Sequence, residues 1–194
     1  TAVPKGTAEA ATDGARPYVL FLGTLEPRKN VSRLVDAMES IWDARPDFPD
    51  LVLAGDDGWG LSGFDTRLRS SRHAARIRLQ GYASAAEAGS LLRNARVLAY
   101  PSLYEGFGLP VLEAMAEGVP VVASSRAALP EVVGDAGLLP DPENVEAIAA
   151  ALVKAETDAK WRRDARLKGF ARAEKFSWTN AARAMRGLFE EAIA

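Results

Sequence analysis

The stretch Tyr104-Glu105-Gly106-Phe107-Gly108-Leu109-Pro110-Val111-Leu112-Glu113 places a carboxylate ahead of a glycine-rich turn, then a proline, then a second carboxylate eight positions after the first. Pro110 suits the first position of a helix, where its missing N–H is not needed and its fixed φ is already helical. Gly106 and Gly108 remove Cβ atoms where the backbone turns sharply and where a ligand can touch the main chain. The expected product is a helix N-terminus whose free N–H groups face a glycine turn, a ready seat for an anion. Glu105 stands beside that seat, and Glu113 is expected in the first turn of the helix. Phosphate flanked by two carboxylates suits a nucleotide sugar, with diphosphate on the amides and hydroxyls on the carboxylates.

On either side of this stretch, strands and helices alternate. Val97 to Tyr100 reads as a strand running directly into the turn, and Leu109 to Glu117 as a helix stopped by Gly118. Val119 to Ala123 is the next strand, with a sixth predicted at Leu138-Leu139. Upstream, Tyr18 to Leu22 and Leu51 to Ala54 are continuous apolar runs, as expected of strands buried on both faces, and Ile77 to Leu79 is a short third. Asn30 to Arg45 carries Val31, Leu34, Val35, Met38 and Ile41-Trp42 at helical spacing. Ser84 to Glu87 is a capping box, and its helix ends near Asn94. Asp141 is predicted to cap a helix with Pro142 at its first position, and Val145 to Ala194 reads as helical with one break around Phe176-Ser177-Trp178. The pattern predicts an α/β fold: a Rossmann-like, doubly wound parallel sheet with helices on both faces, followed by C-terminal helices. Ligands in such sheets sit beyond the C-terminal strand ends where strand order reverses, so Gly23–Lys29 and Glu105–Glu113 are expected to meet at one crevice.

Composition narrows the chemistry. The chain has 194 residues, 48% hydrophobic and 26% charged, enough for one sizeable core. A net charge of -2 gives no electrostatic reason to bind nucleic acid. The absence of cysteine excludes disulfides and thiol nucleophiles, and the single histidine, His73, cannot build a histidine metal cluster. Asp56-Asp57 reads as a solvated turn, so no metal is assigned. His73, among Ser71, Arg72 and Arg76, reads as a surface residue, and Trp161, Phe170, Phe176 and Trp178 as packing residues. Residues 1–16 read as a flexible lead-in, and 17–194 as one domain. With no apolar run of transmembrane length and no signal-peptide core, a cytoplasmic location is expected.

The Glu105–Glu113 spacing resembles the E-x7-E motif of retaining glycosyltransferases of the GT-B fold, family four (glycosyl transferases group 1). Gly23 to Asn30, Gly81-Tyr82, Val97 to Ser102, Gly118 to Ala123, Leu129 to Gly134 and Phe176 to Trp178 also resemble family segments, in the family's order. The likeness runs from about Tyr18 onward and covers the donor-binding half of a GT-B fold. The acceptor-binding N-terminal half has no counterpart before Tyr18, so the chain is expected to be a fragment or an excised domain. Thr179 to Ala194 looks like the helix that crosses back to that half, leaving Ala182, Met185, Leu188, Phe189 and Ile193 partly uncovered.

The resemblance implies a donor site built from Gly23, Thr24, Arg28, Lys29, Gly81, Tyr82, Glu105, Gly106, Phe107, Gly108, Leu109 and Glu113, with Glu105, Lys29 and Arg28 serving catalysis. Arg28 and Lys29 would neutralise the diphosphate as the leaving group departs. The plainer reading is a solvated basic pair, but a basic pair at a helix start opposes the helix dipole and calls for a nearby anion. Many relatives carry an arginine where Thr24 stands, a charge that Arg28 would have to replace. Glu113 would accept the two ribose hydroxyls; its plain alternative is a first-turn glutamate in the helix dipole. Glu105 would contact the transferred sugar or stabilise charge at its anomeric centre; its alternative is a turn carboxylate. Relatives place main-chain base contacts at Gly81-Tyr82, where Tyr82 either stacks or merely packs.

The expected activity is transfer of a hexose, mannose first, from a nucleotide diphosphate sugar (GDP-mannose or a UDP-sugar) to a glycan or lipid-linked acceptor. No cofactor is expected, and the full-length form would work in the cytoplasm or at the inner face of the membrane. The alternatives are a GT-B nucleotide-sugar epimerase, a glycan phosphorylase, and a non-catalytic nucleotide-sugar-binding module.

Overall fold

The structure, a computed structural model, describes residues 17–56, 58, 60 and 63–192. One parallel sheet contains β1 (Tyr18–Leu22), β2 (Asp50–Ala54), β3 (Ile77–Gly81), β4 (Val97–Tyr100), β5 (Val121–Ala123) and β6 (Gly137–Leu138). Their order is β3-β2-β1-β4-β5-β6. The chain therefore works outward from β1, then returns to β1's other side at β4, and this reversal opens a crevice at the C-terminal strand ends. Leu20 of β1 pairs with Val52 on one side and Leu98 on the other. β1, β4 and β5 are buried throughout, whereas edge strand β3 is mostly exposed.

The helices are α1 (Val31–Ala44), α2 (Phe64–Ser70), α3 (Ala85–Asn94), α4 (Leu109–Ala116), α5 (Leu129–Val133), α6 (Val145–Thr157), α7 (Ala159–Lys175) and α8 (Trp178–Ala192). α6 lies on β4 and β5 and packs against α1, while α3 and α4 pack together on β1, β4 and β5, with α7 outside α4. The predicted stripe of α1 is the buried one: Val31, Leu34, Val35, Met38, Ile41 and Trp42. Each such side chain contributes about 1.5–3 kcal/mol through burial. The α/β, doubly wound expectation therefore holds, and so does the capping box, in which Ser84 and Glu87 exchange hydrogen bonds.

Several local expectations need correction. Asp141 does not cap α6. Its Oδ1 accepts from the Glu143 N–H in a local turn, and the cap is Asn144, which accepts from the Ala147 N–H. Pro142 consequently lies before the helix. Glu113 falls past the first turn of α4, because the helix begins at Leu109. The C-terminal segment breaks twice, since Asp158 ends α6 and caps α7 before the expected break at Phe176. α2 is a helix that the sequence does not announce, since only Phe64 and Leu68 mark its buried side.

Among the aromatic residues, Trp178 is 75% exposed rather than packed. His73 is only partly exposed: its ring tilts against Trp42 with centroids 5.4 Å apart, and its Nε2 lies 2.8 Å from Asp43 Oδ1. α8 buries no residue, and Ala182, Met185, Leu188 and Phe189 are exposed as expected. Residues 1–16, Asp57 and Ile193 lie outside the described residues. Among those described, no helix is long and apolar enough to cross a membrane.

Candidate functional site

β1 and β4 deliver their following loops to the same place, and backbone contacts fasten those loops together. After Gly23 the chain makes a single 3-10 turn, Pro27–Lys29, closed by Asn30 in the left-handed region (φ 59°). Asn30 tolerates that conformation better than most residues. Its buried amide donates to the carbonyls of Pro101 (3.0 Å) and Pro142 (2.6 Å), tying the β1 loop to the loops after β4 and β6. The Leu103 N–H donates to the Arg28 carbonyl at 2.7 Å.

This fastening puts Lys29 against Glu105. The Lys29 ammonium, in a residue only 6% exposed, donates to Glu105 Oε1 at 2.6 Å and to the Tyr100 hydroxyl at 2.6 Å. Arg28 donates to Glu105 Oε2 (3.0 Å) and to the Tyr104 carbonyl (3.3 Å), and pairs with Glu26 at 2.6 Å. Burial works to raise the Glu105 carboxyl. The hydrogen bond from Lys29 and the charges of Lys29 and Arg28 outweigh it, so the group is held below its ordinary value. The anion that the basic pair requires is thus part of the chain itself.

The glycine turn follows at once. Gly108 has φ 98°, and a Cβ there would meet Leu129 Cδ2 at 2.5 Å, so only glycine fits. α4 starts at the next residue. Among the described residues, the N–H groups of Gly106, Phe107, Gly108 and Leu109 have no acceptor. These four donors lie in the turn that leads into α4 and at its first residue, with the positive end of the helix dipole beside them, which makes the turn a candidate anion seat. Glu113 lies one turn further along. Water reaches it and its carboxylate has no partner among the described residues, yet enough protein surrounds it for desolvation to raise its carboxyl.

The remaining predicted residues lie along the same sheet edge. The Gly23 N–H donates to the Ala54 carbonyl (2.9 Å) and the Gly55 N–H to the Gly81 carbonyl (2.8 Å), lacing the ends of β1, β2 and β3. Thr24 is exposed, and Tyr82, at 70% exposure, is no packing residue. Lys29 and Arg28 are therefore both in contact with Glu105 and continuous with Gly106–Leu109, whereas Gly81 and Tyr82 stand at the end of β3, two strands from β1 and three from β4. Reasoning from sequence assigned no role to Tyr100, Asn30 or Glu26. Tyr100 did carry a signal, as a phenol ending an otherwise aliphatic buried strand requires a polar partner. Among the described residues, no group of three His, Cys, Asp or Glu is placed to hold a metal.

Residues 5–172 match the family Glycosyl transferases group 1. The chain belongs to this family. It is 44% identical over 164 residues to the O-antigen chain mannosyltransferase B of Escherichia coli, covering 84% of this chain and 43% of that protein. Among solved structures it resembles the sucrose-phosphate synthase of Thermosynechococcus elongatus, with a TM-score of 0.79 and 29% identity over 92% of this chain and 46% of that one. It also resembles the C-terminal domain of a glycosyl transferase group 1 family protein (LpcC) from Francisella tularensis, with a TM-score of 0.70 and 25% identity. That match covers 82% of this chain and 85% of the other. The chain thus spans less than half of the E. coli relative, and its fold is that of the C-terminal domain of a group 1 glycosyl transferase.

Proposed function

We propose that this chain is the donor-binding domain of a retaining hexosyltransferase that takes mannose from GDP-mannose for a glycan or lipid-linked acceptor. The acceptor would be held by a further domain, in the cytoplasm or at the inner face of the membrane. The observation that carries this reading is the turn leading into α4, whose four amides have no acceptor among the described residues, set between the Lys29–Arg28–Glu105 cluster and the free carboxylate of Glu113. A diphosphate matches the amides, and a ribose with two adjacent hydroxyls matches a free carboxylate. Mannose is favoured because the E. coli relative carries that sugar in its name.

In this reading the diphosphate sits on the amides of Gly106 to Leu109, where the α4 dipole already favours negative charge. As the bond between the anomeric carbon and the diphosphate oxygen breaks, charge grows on the leaving group. Lys29 and Arg28 are held beside the amides as cations for that charge once Glu105 has moved aside, and one such placed donor contributes on the order of 3–4 kcal/mol. Glu105 turns from Lys29 towards the sugar hydroxyls. Gly81 and Tyr82 flank the base, and Thr24 lies at the exposed lip between.

Isothermal calorimetry of this chain with GDP, UDP and ADP, each with and without a hexose, tests the reading. Saturable binding of GDP and GDP-mannose is expected. No heat with any of the six ligands would overturn it, and binding confined to UDP or ADP would replace the donor.

A further inference from the structure

We infer that Tyr100 is a positioning residue of the donor site, its phenol holding the Lys29 ammonium on station while Glu105 leaves Lys29 for the substrate. The inference rests on the donor-site reading above. Tyr100 ends β4 and is 1% exposed, and its ring stacks on that of Phe21 of β1, with centroids 6.0 Å apart and planes 15° apart. These are the two strands that flank the reversal of the sheet, so the phenol is anchored in the core at the floor of the crevice. Its oxygen accepts from Lys29 Nζ at 2.6 Å, and the ammonium lies 4.9 Å from the ring centroid. Lysine is a flexible stem with three donors. Tyr100 takes one and Glu105 another, leaving the third for a phosphate oxygen.

The chemistry of the two partners differs in a way that suits the task. Glu105 neutralises Lys29 and is itself the carboxylate that the sugar requires. Tyr100 is neutral, and burial together with the nearby Glu105 carboxylate pushes its phenol well above its ordinary value, so it stays protonated. It directs the lysine without consuming the charge that the diphosphate needs. When substrate hydroxyls claim Glu105, Tyr100 is the one side-chain partner that Lys29 keeps among the described residues. A purely structural tyrosine would act through its ring, and Tyr100→Phe preserves the ring.

The test compares wild type with Tyr100→Phe by two readouts, fold being checked by circular dichroism. The first is calorimetry with GDP or UDP, whichever the wild type binds more tightly, and with the matching nucleoside. The diphosphate is expected to weaken about ten-fold, the loss of one hydrogen bond to a charged group, while the nucleoside is unchanged. The second readout uses ligand-free, 15N-lysine-labelled protein. The wild type is expected to show a slowly exchanging Lys29 ammonium signal that broadens away in Tyr100→Phe. Unchanged diphosphate affinity, an equal loss for nucleoside and diphosphate, or an unaltered Lys29 signal would each overturn the inference. A wild type that binds neither diphosphate would refute the donor-site reading instead, and the ligand-free signal would then decide the Tyr100–Lys29 contact alone.

Discussion

Glu105 is held by two cations that stand 76 and 77 residues earlier in the chain. No spacing argument sees such a pair. Sequence showed a basic pair in want of an anion and, separately, a carboxylate beside a turn, and each was assigned to a ligand. Only the strand order brings them together. Breaking a buried pair costs about 3–5 kcal/mol when the other charge is stranded, but Arg28 still holds Glu105, so Lys29→Ala is expected to destabilise the chain by less than about 3 kcal/mol at neutral pH. Because the folded Glu105 carboxyl is held below its ordinary value, its stabilisation is present above the carboxylate range and is lost as pH falls through the folded value. Urea denaturation should therefore show the gap between wild type and Lys29→Ala narrowing in acid. A gap independent of pH would place the loss elsewhere than in this pair. Glu113 has the opposite sign. Desolvation raises its folded value, so the charged form weakens stability as pH rises through that value. Glu113→Gln is thus expected to keep or raise the melting temperature at neutral pH while weakening nucleoside diphosphate binding by about 1–3 kcal/mol. Calorimetry that finds the affinity unchanged removes Glu113 from the site.

At the scale of elements, the reading from sequence was secure wherever one local signal dominated. The apolar runs of β1, β2 and β4, the stripe of α1 and the capping box of α3 each declare themselves within a few residues. It slipped where two local solutions competed. Asp141 and Asn144 are both good cap residues, and the choice fell to Asn144 because the Pro142 carbonyl is held by Asn30, far away in sequence. Asn144→Ala should cost about 1 kcal/mol in thermal or urea unfolding, and Asp141→Ala less. Equal losses would return Asp141 to the role of cap. α2 went unseen because two apolar residues in a charged segment carry too little periodicity. The turn at Gly108 was legible as a glycine turn, but its necessity was not. The φ of 98° strains any side chain there, and the buried Leu129 of α5, which a Cβ would also meet, is a packing partner that sequence does not announce.

At the scale of the molecule, strand order decides what the parts mean. The order β3-β2-β1-β4-β5-β6 sets the loops after β1 and β4 side by side, and every residue in the charged cluster belongs to one of those loops or to the strand end that feeds it. α8 follows different rules. It carries Met185, Leu188 and Phe189 outward with no buried residue of its own, and it opens on the exposed Trp178. Trp42, by contrast, is 1% exposed. The chain therefore contains its own optical gauge. Indole emission from Trp42 reports the dry interior, whereas that from Trp178 reports water. Trp59 and Trp161 emit as well, so the wild-type spectrum minus that of Trp178→Phe isolates Trp178. That difference is expected at long wavelength with the melting temperature nearly unchanged, and a blue difference spectrum would show that α8 is already covered in solution. Any surface that comes to rest on α8 will announce itself as a shift of that light towards the blue.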